Sequence, residues 1–258
     1  MKIKVGCCGF AVKGGSKAYY EEFQLVELQT TFYKLPRIAT AEKWRREAPE
    51  DFEFTLKSWQ AVTHPTSSPT WRRAGIRIMP DMANKYGLLR PSKENFEAWS
   101  RTKTTMTALK SRICVIQCPP AFEAGEEHIR NMREFFNSID RKGVQIAWEP
   151  RHKTWHNNLA LTKKMCDDLD LIHTVDIFKR QPVSKNSIAY IRLHGLPGEI
   201  NYAYKYTNKD LKLLAEKVLA LQEQEKEEAY VLFNNLSMAN DSKKLIKILS
   251  YMKNQAER

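Results

Sequence analysis

Eight short apolar runs, each rich in β-branched or aromatic residues, constrain this chain more than any other feature. They are IKVGCC (3–8), QLVELQ (24–29), FEFTLK (52–57), RICVIQ (112–117), VQIAWE (144–149), LIHTVD (171–176), IAYIRL (188–193) and AYVLFN (229–234). Each is bounded by polar or turn residues, as a strand should be. Most gaps between them carry apolar residues at helical spacing: 40–48, 92–110, 126–139, 207–228 and 237–253. Thr40 is placed to cap the first of these helices. Strands alternating with helices imply parallel β-α units. Eight strands in 258 residues fit a closed barrel. The expectation is therefore one α/β domain over 1–258, a (β/α)8 barrel of TIM type. Its regularity is left open, and a long non-periodic loop is inserted at about 58–92. An open doubly wound sheet is the rival. GFAVKGGSK (9–17) lacks both the dinucleotide and the P-loop spacing, so its glycines read as a flexible loop.

Strand periodicity then sorts residues between lumen and helix layer. With the more apolar parity facing the helices, Glu27, Gln29, Thr55, Lys57, Ala147, Glu149, Thr174, Asp176, Tyr190, Arg192 and His194 face the lumen. The polar ones gather at the C-terminal strand ends, where barrel enzymes build their sites. Candidate catalytic residues are Glu27, Glu149, Asp176 and His194. Candidate substrate-binding residues are Arg192, Lys57, Arg151, His152, Tyr33, Trp155, Tyr204 and Asn234. Arg192 has two readings: a structural ion pair with Glu149 or Glu27, or a clamp for phosphate or carboxylate. Glu27, Glu149, Asp176, His152 and His194 leave a divalent metal open as cofactor, although no H-x-H or H-E-x-x-H spacing supports it.

The formal charge of +12 favours an anionic partner, nucleic acid or a phosphate-containing small molecule. Residues 34–93 hold 12 Lys/Arg against 6 Asp/Glu, with WRRAGIRI (71–78) a basic patch. Five cysteines without C-x-x-C spacing suggest buried, reduced thiols, with Cys7 and Cys8 on opposite strand faces. Neither a signal-peptide core nor an apolar run of spanning length is present, so a cytoplasmic location without membrane contact is expected. Oligomeric state is left open.

VGCCGF, VELQTTFYKLP, FEFTLK, the Thr63-His64 pair, QCPPAF, WEPRHKTW, YIRLHG with YAYKYTNKDL, and LFNN together resemble the YecE-like family, domain of unknown function 72. The matching pieces span residues 5–235. Gly9-Phe10 stands where the family usually has Gly-Trp, Gln29 where Asn is common, and Pro150 where Phe is more frequent. The resemblance implies a TIM-type barrel, similar at the fold level to apurinic endonucleases and sugar isomerases, and implies no reaction. The leading expectation is an enzyme acting on a phosphate compound, a phosphoesterase or nuclease-like hydrolase. Its rivals are a non-catalytic nucleic-acid or nucleotide binder and a carbohydrate-active isomerase or hydrolase.

Overall fold

The computed structural model describes residues 1–256, and for Ala256 the backbone only. In chain order the elements are β1 (Lys2–Cys7), α1 (Gly15–Glu22), β2 (Leu25–Leu28), α2 (Thr30–Tyr33), α3 (Ile38–Glu47), β3 (Glu53–Lys57), α4 (Pro69–Arg73), α5 (Lys93–Leu109) and β4 (Ile113–Gln117). Then come α6 (Glu126–Ser138), β5 (Gln145–Glu149), α7 (Lys153–Asn157), α8 (Leu159–Asp168), β6 (Leu171–His173), β7 (Ile188–Leu193), α9 (Asn208–Leu219), β8 (Glu228–Phe233) and α10 (Met238–Ala256). All eight strands are parallel in one sheet of order β6-β5-β4-β3-β2-β1-β8-β7. The ends meet at a narrow seam: Arg192 N–H donates to the Val175 carbonyl at 2.9 Å and Val175 N–H to the Tyr190 carbonyl at 3.2 Å. The expected (β/α)8 barrel is thus present, closed by one bridge.

Alternation drives the layering. The residues assigned outward, among them Val26, Leu28, Phe54, Leu56, Ile146, Trp148, Ile191 and Leu193, pack into the sheet–helix core. Their opposite parity fills the lumen: Cys8, Leu25, Ile113, Val115, Ala147, Ile172, Ile188, Tyr190, Tyr230 and Leu232 form one apolar plug. Cys7 and Cys8 do fall on opposite sides, and all five cysteines are buried and free. Gly6 is required where β1 meets β2, because a Cβ there would lie 2.2 Å from the Leu25 carbonyl oxygen.

Several local expectations are corrected. Segment 58–92 is not a structureless loop. It holds short 3-10 turns at Gln60–Val62 and Pro80–Lys85 as well as α4, and it buries Trp71 and Leu89. Its two ends are laced together, with Gly87, Leu88 and Leu89 N–H groups donating to the Ala61, Thr63 and Val62 carbonyls. Such long-range pairing has no periodicity to betray it. Thr40 lies inside α3, which starts after extended Arg37, so it is not the cap. Gly14 and Gly15 open α1 rather than a flexible loop. The 207–228 helix stops at Leu219 and tightens into a 3-10 turn over Ala220–Gln224, after a start secured by a Thr207–Asp210 capping box. β6 is three residues long: Thr174 N–H still donates to the Trp148 carbonyl of β5, and Val175 then bridges to Ile191 of β7.

Candidate functional site

Two charged layers bracket the apolar plug. The one at the C-terminal strand ends is built around Arg192. Its Nε donates to Glu27 Oε2 at 3.0 Å and its Nη2 lies 2.9 Å from Glu27 Oε1, while Nη1 bonds Glu149 Oε2. Glu27 also accepts from the Tyr190 hydroxyl at 2.9 Å and from the Gln29 amide. Arg192 is 1% exposed and Glu27 fully buried. Of the two readings for Arg192, the geometry shows the ion pair: its donors are spent on protein carboxylates. Burial opposes its charge, yet Glu149 and Glu27 hold it protonated well above its ordinary range. Removing one member of such a buried set typically costs roughly 3–5 kcal/mol.

Glu149 is shared. Arg151 Nη2 lies 2.7 Å from Glu149 Oε1 and donates to His194 Nε2 at 2.8 Å. Arginine only donates, so that imidazole nitrogen carries no proton. Burial together with Arg151 and Arg192 holds His194 neutral, against the pull of Glu149. Although burial resists it, Arg151 and Arg192 keep Glu149 ionised well below the usual carboxylate range, which makes it a weak base. Asp176 is occupied as a local brace. It accepts from the His194 N–H at 3.1 Å and from Lys179 Nζ at 2.9 Å. The chain then turns at Gly195 (φ +80), where a Cβ would sit 2.0 Å from the Asn201 carbonyl oxygen.

Lys57 is different. Its ammonium donates to Gln117 Oε1 at 3.0 Å and lies 3.8 Å from the centre of the Phe32 ring. No carboxylate among the described residues pairs with it, although Glu149 and Glu27 are close enough to be felt. Phe32 is held over it because the Thr31 hydroxyl donates to both the Leu28 and Lys57 carbonyls, pinning α2 to the end of β3. Burial, reinforced by Arg192 and Arg151, brings Lys57 down to about 7. Nearby His64, edge-on to Phe32, is lowered to about 3 by burial and by Lys57.

Other candidates are not drawn into this cluster. Trp155 is fully buried in the outer layer; its Nε1 donates to the Phe122 carbonyl and its ring packs edge-on to Trp148. Tyr204 donates its hydroxyl to Asp210 at the start of α9. His152 caps α7, accepting from the Thr154 N–H. Tyr33 packs half-buried on the edge of Phe32. Asn234 is half-buried at the end of β8, with its N–H donating to the Leu193 carbonyl. Cys8, which the sequence marks only as core, lies 3.9 Å from Arg192 Nη2, and Lys179 was not foreseen. For Lys179 the only available sign was its spacing of three from Asp176.

A divalent metal does not fit here. Among the described residues no group of three His, Cys, Asp or Glu side chains converges to hold one. Glu27 and Glu149 present their oxygens to arginines, and the surrounding cations oppose a metal ion. Among the described residues no helix is long and apolar enough to cross a membrane.

Fold and strand-end cluster define an eight-stranded parallel barrel with a charged lumen mouth. Residues 13–258 match the family described as Protein of unknown function DUF72, and the chain belongs to that family. The UPF0759 protein YunF of Bacillus subtilis (strain 168) is 25% identical, covering 90% of this chain and 86% of that protein. A DUF72 family protein of Enterococcus faecalis V583 superposes with TM-score 0.72 at 19% identity, covering 96% of this chain and 95% of that one. One from Thermotoga maritima MSB8 does so at 0.68 and 24%, covering 99% and 100%. The fold alone is shared with a D-tagatose 3-epimerase-like protein (TM-score 0.60, 16% identity, covering 99% and 100%). The same holds for endonuclease IV of Thermus thermophilus (0.57, 10%, covering 97% and 99%).

Proposed function

We propose that the barrel mouth is the active site of an enzyme acting on a phosphate-bearing compound. Arg151 receives the anion and Lys57 exchanges the proton. The observation that carries this reading is Lys57 itself: a cation 7% exposed at a strand end, with no carboxylate of its own. Arg192 and Glu27 form the floor that keeps Arg151 and Glu149 in place. Arg151 Nε is buried and without a partner, so it is available to an incoming oxygen. With Glu149 held ionised and His194 neutral, Lys57 is the group in this cluster that changes protonation near neutrality. Endonuclease IV shares the fold, which admits hydrolysis of a phosphate ester without arguing for it. Calorimetric titration with inorganic phosphate tests the reading. Phosphate gains charge over the same range, so sulfate, whose charge is constant there, is the pH probe: its binding should weaken as pH rises through 7, and sulfate binding indifferent to pH between 6 and 8 contradicts the reading.

A second reading rests on the insertion. Arg72, Arg73 and Arg77 are all exposed on and after α4, and none makes an ion pair with a described residue. A nucleic-acid strand would meet them through its phosphates, with affinity falling steeply as salt increases.

A further inference from the structure

We infer that Lys57 is a covalent nucleophile, and that the compound taken at this mouth is an aldehyde or ketone carrying a phosphate, held as an imine on the Lys57 amine. This rests on the reading of the mouth as a phosphate-compound site and names its substrate class. The geometry supplies three requirements. The amine stands at the C-terminal end of β3, on the barrel face where such enzymes build their sites. Its hydrogen-bond partner is the neutral Gln117 amide, whose oxygen can accept from an amine as well as from an ammonium and adds no charge that would hold the proton. Its apolar neighbour, the Phe32 ring, excludes water from one side. A carboxylate in place of Gln117 would hold the ammonium charged and unreactive.

The charged groups facing Lys57 act in opposite directions. Arg192 on β7, Arg151 after β5 and burial disfavour its proton; Glu149 on β5 and Glu27 on β2 favour it. Phe32 on α2 favours the cation too, and His64, following β3, is held neutral. The outcome, a titration at about 7, leaves about half the amine neutral at pH 7. An ordinary lysine is neutral in roughly one part in 2,500 there.

The step balances without oxidant or reductant. The Lys57 nitrogen lone pair forms a bond to the carbonyl carbon, and the C–O π pair moves to oxygen, which takes up the proton lost by nitrogen. The carbinolamine then expels hydroxide, which takes one proton from solvent and leaves as water. That leaves a C=N bond, protonated as the iminium near neutral pH, whose positive charge can stabilise a carbanion on the adjacent carbon.

The test uses the unmodified full chain with glycolaldehyde phosphate, a minimal aldehyde bearing a phosphate ester, trapped by cyanoborohydride and mapped by peptide mass spectrometry. Adduct at Lys57 should exceed that at exposed Lys17 or Lys93 by on the order of tenfold or more. Excess inorganic phosphate should suppress it. Adduct spread evenly over exposed lysines overturns the imine. If calorimetry shows phosphate binding and Lys57 still takes no adduct, the imine falls and the phosphate site stands. If Lys57 is labelled and phosphate does not compete, the imine stands and the phosphate site falls.

Discussion

The barrel holds two charged clusters, one at each end of its lumen, and they are built on opposite terms. At the N-terminal end Lys4 and Arg112 meet Glu53 and Glu228, and the Tyr230 hydroxyl bridges both carboxylates. Two cations face two carboxylates there, and all are mutually paired. At the C-terminal end Arg192, Arg151 and Lys57 face Glu27 and Glu149, and Lys57 is left over. The N-terminal cluster is also wetter, its carboxylates about a quarter exposed against near-complete burial of Glu27 and Glu149. A cluster that satisfies itself closes a barrel. One that buries an extra charge needs something else to complete it, and that difference marks the C-terminal mouth as the working end.

The sharpest way to break this contrast is to remove the central cation from each. Arg192→Ala strands buried Glu27 and leaves Glu149 to Arg151 alone, and should cost roughly 3–5 kcal/mol. Arg112→Ala leaves Lys4 and solvent to serve the same carboxylates, so about 1 kcal/mol or less is expected. Urea unfolding compares them, and equal losses would erase the distinction. Glu149→Ala belongs with Arg192→Ala, because it takes a buried carboxylate from two arginines at once, leaving Arg151 with no carboxylate partner. As a catalytic candidate alone, Glu149 would lose turnover on substitution with the fold intact; its geometry makes a loss of stability the expected outcome as well.

A smaller effect of opposite sign is expected at Lys57. Its folded value lies below its unfolded value, so the unfolded chain binds the extra proton between about pH 7 and the ordinary lysine range. This group's contribution therefore becomes more favourable as pH rises through that window and is least favourable below pH 7. Lys57→Met should be more stable than the parent at pH 6, with the gap closing by pH 10. A parent that is the more stable at pH 6 would mean that the charge is already compensated.

Much of this was legible in the sequence because strand alternation is a local signal. Glu27, Lys57, Glu149, Arg192 and His194 were all assigned to the lumen by parity, and the clusters that form bear out each outward neighbour. What parity could not say is which charges pair. Arg192 reaches Glu27 across a sequence separation of 165 residues, and no local pattern encodes that. Loop residues were harder still. Trp155 and Tyr204 sit near strand-end motifs yet are claimed by Phe122 and Asp210, contacts that depend on how α7 and α9 dock. The N-terminal cluster was readable in principle, since Lys4 shares the parity of Cys8, and Glu228 shares that of Tyr230. Its charges lie at strand starts, away from the face where barrel sites are sought.

The central claim is that Lys57 is an uncompensated cation at the mouth. It is tested most directly by following the Lys57 Cε resonance in selectively 13C-labelled protein across pH, with and without inorganic phosphate. A titration at about 7 is expected in the free protein, shifting upward when phosphate is present. An ordinary lysine value near ~10.4, unmoved by phosphate, would contradict it.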